Sequence, residues 1–220
     1  MHGLPRRFAG RRKIAGLSRL WSEAKYNFAF FDRLPGLDRD ALYLAYLPKV
    51  RATTSTLQYY ETLAEFYAQL HDGHTGVGYP PQVSNLLGYP AVITRLIEGR
   101  VFIDVVQDHP GLKEQGIVRG LEVTAIDAIP VKEYGKERVA PHVSASSLQD
   151  LDVRTYQWSL LSGPKGSPVE EPTPGRVWFR GVVFSGEPAA GLMRYHHEWA
   201  SSPQSARFGQ SATGFPGDHP

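Results

Sequence analysis

Two histidines and an aspartate stand together in the stretch QLHDGHTGVGYP, Gln69 to Pro80. A histidine there is suited to act as a general base, because imidazole changes charge near neutral pH. His71 and His74 are also three residues apart, a spacing at which two imidazoles on a helical turn reach one metal ion. The third interpretation is structural, with polar side chains that follow the end of a helix.

The metal interpretation is the weakest of the three. Gly73 and Gly76 disfavour a regular helix, and no third ligand stands nearby, since adjacent donors on one short turn rarely all point inward. The sequence therefore predicts no metal site and no cofactor.

Other short motifs match by chance. Ser22–Lys25 and Ser162–Lys165 fit the S-x-x-K pattern of serine–lysine catalysis, but neither has the accompanying motifs. Gly76–Gly78 begins like a phosphate loop and lacks the further glycine. His196–Glu198 lies in a stretch without periodic pattern. None of these predicts a site.

Composition narrows the function classes. The chain has 220 residues, a formal net charge of +2 and no cysteine, which excludes disulfides and a cysteine nucleophile. The small basic cluster within residues 6–13 is typical of a helix start, so no nucleic-acid partner is expected. No stretch reaches about 18 consecutive apolar residues, so no membrane span is expected. Without an apolar signal segment, the sequence as written predicts a cytoplasmic protein.

The first part of the chain is predicted to be helical. Apolar residues recur at helical spacing over residues 11–34, Asp38 is a suitable N-cap for a second helix, and a third helix ends near Leu70. These features predict a three-helix bundle in residues 11–75, after a disordered start in residues 1–10 and before a linker loop in residues 76–88.

The pattern then changes to short strands. AVITRLI and VFIDVV flank a turn at Glu98–Arg100, and LEVTAIDAIPV predicts a second strand pair that turns at Asp127–Ala128. Residues 144–161 fit a helix capped by Ser144 or Ser146. The whole chain is therefore predicted to be α+β, with a compact module in residues 89–170.

Leu86–Tyr89 precedes the first of these strands. An apolar–glycine–apolar turn in that place directs backbone N–H groups into a pocket, which suits a C-terminal carboxylate while the strand edge pairs with the peptide backbone. The predicted peptide-binding residues are Leu87, Gly88, Tyr89, Ala91 and Ile93. The alternative is an ordinary entry of a loop into a strand.

The last fifty residues differ in composition. Residues 171–220 hold 7 Gly, 6 Pro and 5 Ser and no lysine. This composition predicts an irregular, low-order tail.

Taken in order, these segments resemble a known family. RKIAGLSRLWSEAKYNFAFF, LHDGHT, GIVRGLEVTAIDAIPVKEY and SGPKGSPVE are similar to stretches of the C-terminal processing, or tail-specific, serine peptidases, with their tricorn-like and retinoid-binding-protein-like branches. The resemblance covers roughly residues 11–170. It implies a PDZ-like module in residues 89–170 and substrates held by their C-termini. Similarity to the tricorn-like branch implies His74 as the general base, whereas in the other branch lysine is the base and this segment is only structural. Members of this family often work in the cell envelope or periplasm.

The chain also departs from the family pattern. Leu121 stands where the family usually has Asp, Ala128 stands where Gly usually turns, and Pro90 removes one N–H near the presumed carboxylate loop. The family nucleophile follows the PDZ-like module, and the nearest candidate here is Ser185, without a glycine-flanked elbow.

The family pattern expires near Val169–Glu170, where the composition changes. This coincidence gives the hypothesis that the tail is read in a shifted frame or that the gene is truncated. The expectation is a truncated peptidase, inactive alone because a base without a nucleophile gives no covalent catalysis. The alternatives are a module that binds peptide C-termini without cutting them and an inert product of a damaged gene.

Overall fold

The computed structural model describes residues 6–89, 91–108, 110–164, 169–173, 176–179 and 182–185. Helices occupy most of the chain up to Ala68, and antiparallel strands with further short helices follow. The predicted α+β class is confirmed. Within these described ranges, no helix combines the length and apolar character needed to cross a bilayer.

Three helices form the first part: α1 (Arg6–Asn27), α2 (Arg39–Ala52) and α3 (Thr56–Ala68). Because α1 begins at Arg6, the predicted disordered start is wrong from that residue onward, while residues 1–5 lie outside the described residues. α1 also ends before residue 34, and a 3-10 turn at Phe31–Arg33 follows it.

The second and third helices begin at side-chain caps. The Asp38 carboxylate accepts hydrogen bonds from the N–H groups of Asp40 and Ala41, as predicted for an N-cap. Ser55 caps α3 in the same way. α2 runs through Pro48 to Ala52, since the fully buried Val50 beyond the proline packs into the core and keeps the chain helical.

The three helices share one apolar cluster. Two tyrosines of α3 also reach across to α1, where the hydroxyl of Tyr59 donates to Lys13 O at 3.1 Å and that of Tyr67 to Leu20 O at 3.1 Å. The buried members of this helical cluster are Leu17, Tyr46, Val50, Leu63, Phe66, Tyr67 and Leu70.

The strands are β1 (Leu87–Gly88), β2 (Val92–Ile97), β3 (Arg100–Val106), β4 (Glu122–Ile126), β5 (Ile129–Pro130), β6 (Gly163–Pro164), β7 (Val169–Thr173), β8 (Arg176–Phe179) and β9 (Val182–Ser185). The main sheet has the order β2-β3-β4-β5, with β9 also paired to β4. β1 pairs with β6, and β7 with β8, all antiparallel. Among the described strands β2 pairs only with β3, so β2 is an edge.

Both predicted turns are present. Glu98 and Gly99 have φ of 48° and 79° in the hairpin between β2 and β3, and Asp127 and Ala128 have φ of 51° and 62° between β4 and β5. Ala128 is therefore in the left-handed region, where a glycine carries no steric cost.

Short helices complete the second part: α4 (Pro81–Ser84), α5 (Pro110–Glu114), α6 (Val131–Tyr134) and α7 (Leu148–Val153). α6 continues as a π-helical turn at Gly135–Val139 and a 3-10 turn at Ala140–His142, and α7 as a π-helical turn at Arg154–Ser159. The cap of α7 is Ser147, whose side chain accepts from Asp150 N, rather than Ser144 or Ser146. A second apolar cluster lies between the sheet and these helices, around Val92, Ile103, Leu112, Val123, Ile126, Tyr156 and Leu160.

Two predicted boundaries differ from the structure. The predicted linker of residues 76–88 contains α4 and β1. The predicted low-order tail contains β8 and β9, and Val182–Ser185 adds to the main sheet along Glu122–Ile126. The prediction is wrong for these strands, while residues 186–220 lie outside the described residues.

Candidate functional site

The segment that carries both histidines leaves the C-terminus of α3. His71 has φ of 47°, a left-handed conformation that reverses the chain direction after the helix. A turn follows, in which Thr75 N donates to Asp72 O at 3.1 Å. This turn presents His74 to solvent.

Asp72 is the partner of His74. The His74 Nδ1 atom lies 3.9 Å from Asp72 Oδ1, and the His74 side chain is 97% exposed while that of Asp72 is 15% exposed. The other carboxylate oxygen of Asp72 accepts from the Thr75 hydroxyl at 2.6 Å. The 3.9 Å separation is longer than a hydrogen bond, so Asp72 lies near the His74 ring without holding it.

The hydroxyl that a general base would activate is not beside His74 among the described residues, since no Ser or Thr hydroxyl there is hydrogen-bonded to its ring. The two nearby serines point elsewhere. Ser144 Oγ donates to Asp72 O at 2.8 Å, and Ser146 Oγ lies 3.4 Å from Asp72 Oδ1. The described geometry thus places an exposed imidazole near one carboxylate.

A network that we call the polar junction ties this turn to the start of α7. Gly73 N donates to Ser146 Oγ at 2.8 Å, and Ser146 N donates to Asp150 Oδ2 at 3.1 Å. Arg154 Nε donates to Asp150 Oδ1 at 2.7 Å. The members of the polar junction are Asp72, Gly73, Ser144, Ser146, Asp150 and Arg154.

Gly73 permits the close approach. A Cβ at this position would lie 2.7 Å from Asp150 Oδ2, closer than real Cβ atoms come, and 3.0 Å from Arg154 Nη2, which is a tight contact. Close packing against Asp150 therefore requires a residue without a side chain at this position of the turn.

A cleft of about 580 Å³ opens beside the polar junction. It brings His74 together with Leu87 and Tyr89 of the predicted peptide-binding set. Gly88 is buried in β1, Ala91 O accepts from Gln107 N, and Ile93 is 36% exposed on β2; these three do not line the cleft. Its lining also includes Tyr79, His142, Ser144, Arg154, Trp158 and Ser159.

Tyr79 makes one wall of the cleft. Burial, with the nearby Glu61 and Tyr89, raises the pKa of Tyr79 to about 12. Its ring packs edge-on against Tyr60 of α3, with 5.6 Å between centroids. The phenol is therefore neutral at physiological pH and serves as a hydrogen-bonding, aromatic surface.

The edge of β2 lies next to the π-helical turn that follows α7. The hydroxyl of Thr94, a residue that is 1% exposed, donates to Tyr156 O in that turn. Arg154 and Trp158, one turn apart, belong to the same helical segment and face the cleft. One helix thus borders both the β2 edge and the cleft.

The remaining sequence candidates lie elsewhere. Lys25 Nζ is held by Asp40 Oδ1 at 3.0 Å, not by Ser22. Ser185 ends β9 opposite Glu122, and no group of three or more potential metal ligands occurs among the described residues. Lys165 and the His196–Glu198 stretch lie outside the described residues.

Sequence reasoning predicted His74, Leu87 and Tyr89, which line the cleft, but did not single out Asp150 and Arg154. These two look like ordinary helix residues locally, since Ser147 to Asp150 is a capping pattern and Asp150 to Arg154 an i,i+4 pair. Neither a scan against family models nor a search of curated proteins finds a match for this chain.

Proposed function

We propose that the chain binds polypeptides by their C-termini, as the PDZ-like module of a tail-specific serine peptidase does, with α1–α3 as the accompanying three-helix bundle. The β2 edge is the observation that carries the proposal. Among the described strands it has one partner, and an extended peptide is able to add to such an edge by main-chain hydrogen bonds.

The surroundings of β2 support the same reading. Leu87–Tyr89 leads into the strand, and the helical segment of residues 148–159 runs beside it. In such an arrangement an extended peptide binds between the strand edge and the helix, and its end lies at the short apolar loop. The module would comprise residues 89–170, with β9 as an added strand.

Amide NMR of the isotope-labelled protein tests this proposal. Titration with a pool of short peptides that carry free C-termini is expected to shift the signals of residues 87–89 and 91–97. The same pool with amidated C-termini is expected to shift them less. Shifts confined to other parts of the protein, or equal shifts with both pools, would reject the proposal.

Peptide hydrolysis is the second candidate function, and the Asp72–His74 pair at the rim of the cleft favours it. His74 would act as general base toward a serine that the described residues do not place beside it. Incubation with an unfolded polypeptide such as casein separates the two candidates. Cleavage that disappears in His74→Ala, with peptide binding retained, would assign catalysis; binding with no cleavage in the wild type would leave the binding module.

A further inference from the structure

The chemistry of the cleft also suggests which group of a peptide is recognised. Arg154 is a half-buried cation in its wall, with 29% of the side chain exposed. The guanidinium is held on one side by Asp150 through Nε at 2.7 Å and lies over the Trp158 ring, 5.4 Å from its centroid. These two contacts restrict the positions that the guanidinium adopts before any ligand arrives.

The outer face of this guanidinium is available. The hydrogen bond from Arg154 to Asp150 uses the Nε atom. Within the described part of the chain, the two terminal nitrogens, Nη1 and Nη2, have no hydrogen-bond partner. Two terminal N–H groups in a rigid plane match the two oxygens of a carboxylate.

The loop before β2 is short of donors for that carboxylate. Leu87 and Gly88 pair with β6 as β1, and Pro90 has no N–H. A backbone cradle in this loop is therefore incomplete, and a side-chain cation in the same cleft would complete it.

We propose that the Arg154 guanidinium receives the C-terminal carboxylate of the bound peptide, with the last side chain against Tyr89 and Trp158. These two rings are 59% and 43% exposed and line the same cleft, which favours a large apolar last residue. The inference rests on the proposed function and adds to it the residue that reads the carboxylate.

The experiment uses one fluorescein-labelled heptapeptide that ends in phenylalanine, made with a free C-terminal carboxylate and as the C-terminal amide. Fluorescence anisotropy gives the Kd of each form, and the ratio of the two measures recognition of the carboxylate. The wild type is expected to prefer the free carboxylate by about tenfold, and Arg154→Gln is expected to bring the ratio close to one.

Two control variants separate recognition from structure. Asp150→Asn removes the negative charge beside Arg154 but keeps the cation and an oxygen that accepts from its Nε, so it should keep the preference or increase it as a competing carboxylate is lost. Arg138→Gln removes an exposed cation that does not line the cleft and should leave the ratio unchanged. Circular dichroism shows whether each variant is folded.

The outcomes are distinct. A preference that survives in Arg154→Gln overturns the inference and leaves peptide binding in place. A preference lost equally in Asp150→Asn also overturns it, because the Arg154 cation and an oxygen that orients it would both remain in that variant. A wild type that binds the two forms equally rejects recognition of C-termini, and the inference with it.

Discussion

The helical part of the molecule and the polar junction are held together in different ways. The helices of residues 6–68 enclose a cluster of apolar side chains, with Leu17 and Val50 fully buried. The polar junction instead joins the Asp72–Gly73 turn to the segment around Ser146 and Asp150 by hydrogen bonds.

This difference predicts different tolerance to change. Apolar burial is not directional and is spread over many contacts, whereas a hydrogen bond depends on distance and angle. His74 follows the junction directly in sequence, so its position depends on the less tolerant of the two. Stability and site geometry should therefore be separable by substitution.

Leu17→Ala should give the largest effect on stability. Leu17 has no exposed surface, and removal of a buried leucine side chain leaves a cavity that typically costs about 2–5 kcal/mol. Urea denaturation followed by circular dichroism measures the loss in the free energy of unfolding. Leu44→Ala in α2 is the control, because Leu44 is 61% exposed and its removal should change little.

Leu17→Ala should lose stability without a change at His74. Below the denaturation range, the NMR signals of His74 should match those of the wild type, because the junction is intact. A displaced His74 signal in folded Leu17→Ala would show that the helical cluster also sets the site.

Gly73→Ala should have a smaller effect on stability and a direct one on the site. The new Cβ would meet Asp150 Oδ2, which is held by Ser146, so the turn or α7 must shift at a cost of about 1–3 kcal/mol. The His74 NMR signals should move in this variant.

Gly76→Ala is the matched control, since a Cβ there has nothing within 4 Å and φ is not in the left-handed region. It should leave both stability and the His74 signals close to the wild type. If the two variants had the same stability and the same His74 signals, the close approach of Gly73 to Asp150 would not be what holds the turn.

The serines of residues 144–147 show where prediction from sequence stops. Ser144, Ser146 and Ser147 are alike as helix caps, and the first two were the predicted ones. In the structure Ser144 and Ser146 bond to Asp72, more than 70 residues away, and Ser147 is left as the cap. A contact of this kind has no local periodic signature, so the cap of α2 was predictable and the polar junction was not.

The last strand teaches the same point about the sheet. Val182–Ser185 has no partner nearby in the sequence, and it pairs with β4, more than fifty residues earlier. In contrast, the hairpin of β2 and β3 has its turn residues between its strands and was predicted with its turn. Local pairs can be predicted from sequence, while pairs brought together by the fold need the structure.

Tyr79 gives an effect confined to alkaline pH and tests the boundary between the two regions, since its ring contacts Tyr60 of α3 and lines the cleft. Burial raises its pKa from the ordinary 10.0 to about 12. Between these values the unfolded chain loses the Tyr79 proton while the folded chain keeps it, so the free energy of unfolding falls as pH rises. The contribution is fully present below pH 10 and is lost by about pH 12.

Urea denaturation at a series of pH values measures this effect by comparison with Tyr79→Phe, which lacks the titrating group and should lose stability less steeply in that window. The ultraviolet absorbance of phenolate should likewise show one late-titrating tyrosine fewer in the variant. Parallel curves for the two proteins would mean that Tyr79 is open to solvent. The cleft would then be wider at that wall than the ring packing indicates, and Arg154 would face a more polar site than the proposed recognition of a carboxylate requires.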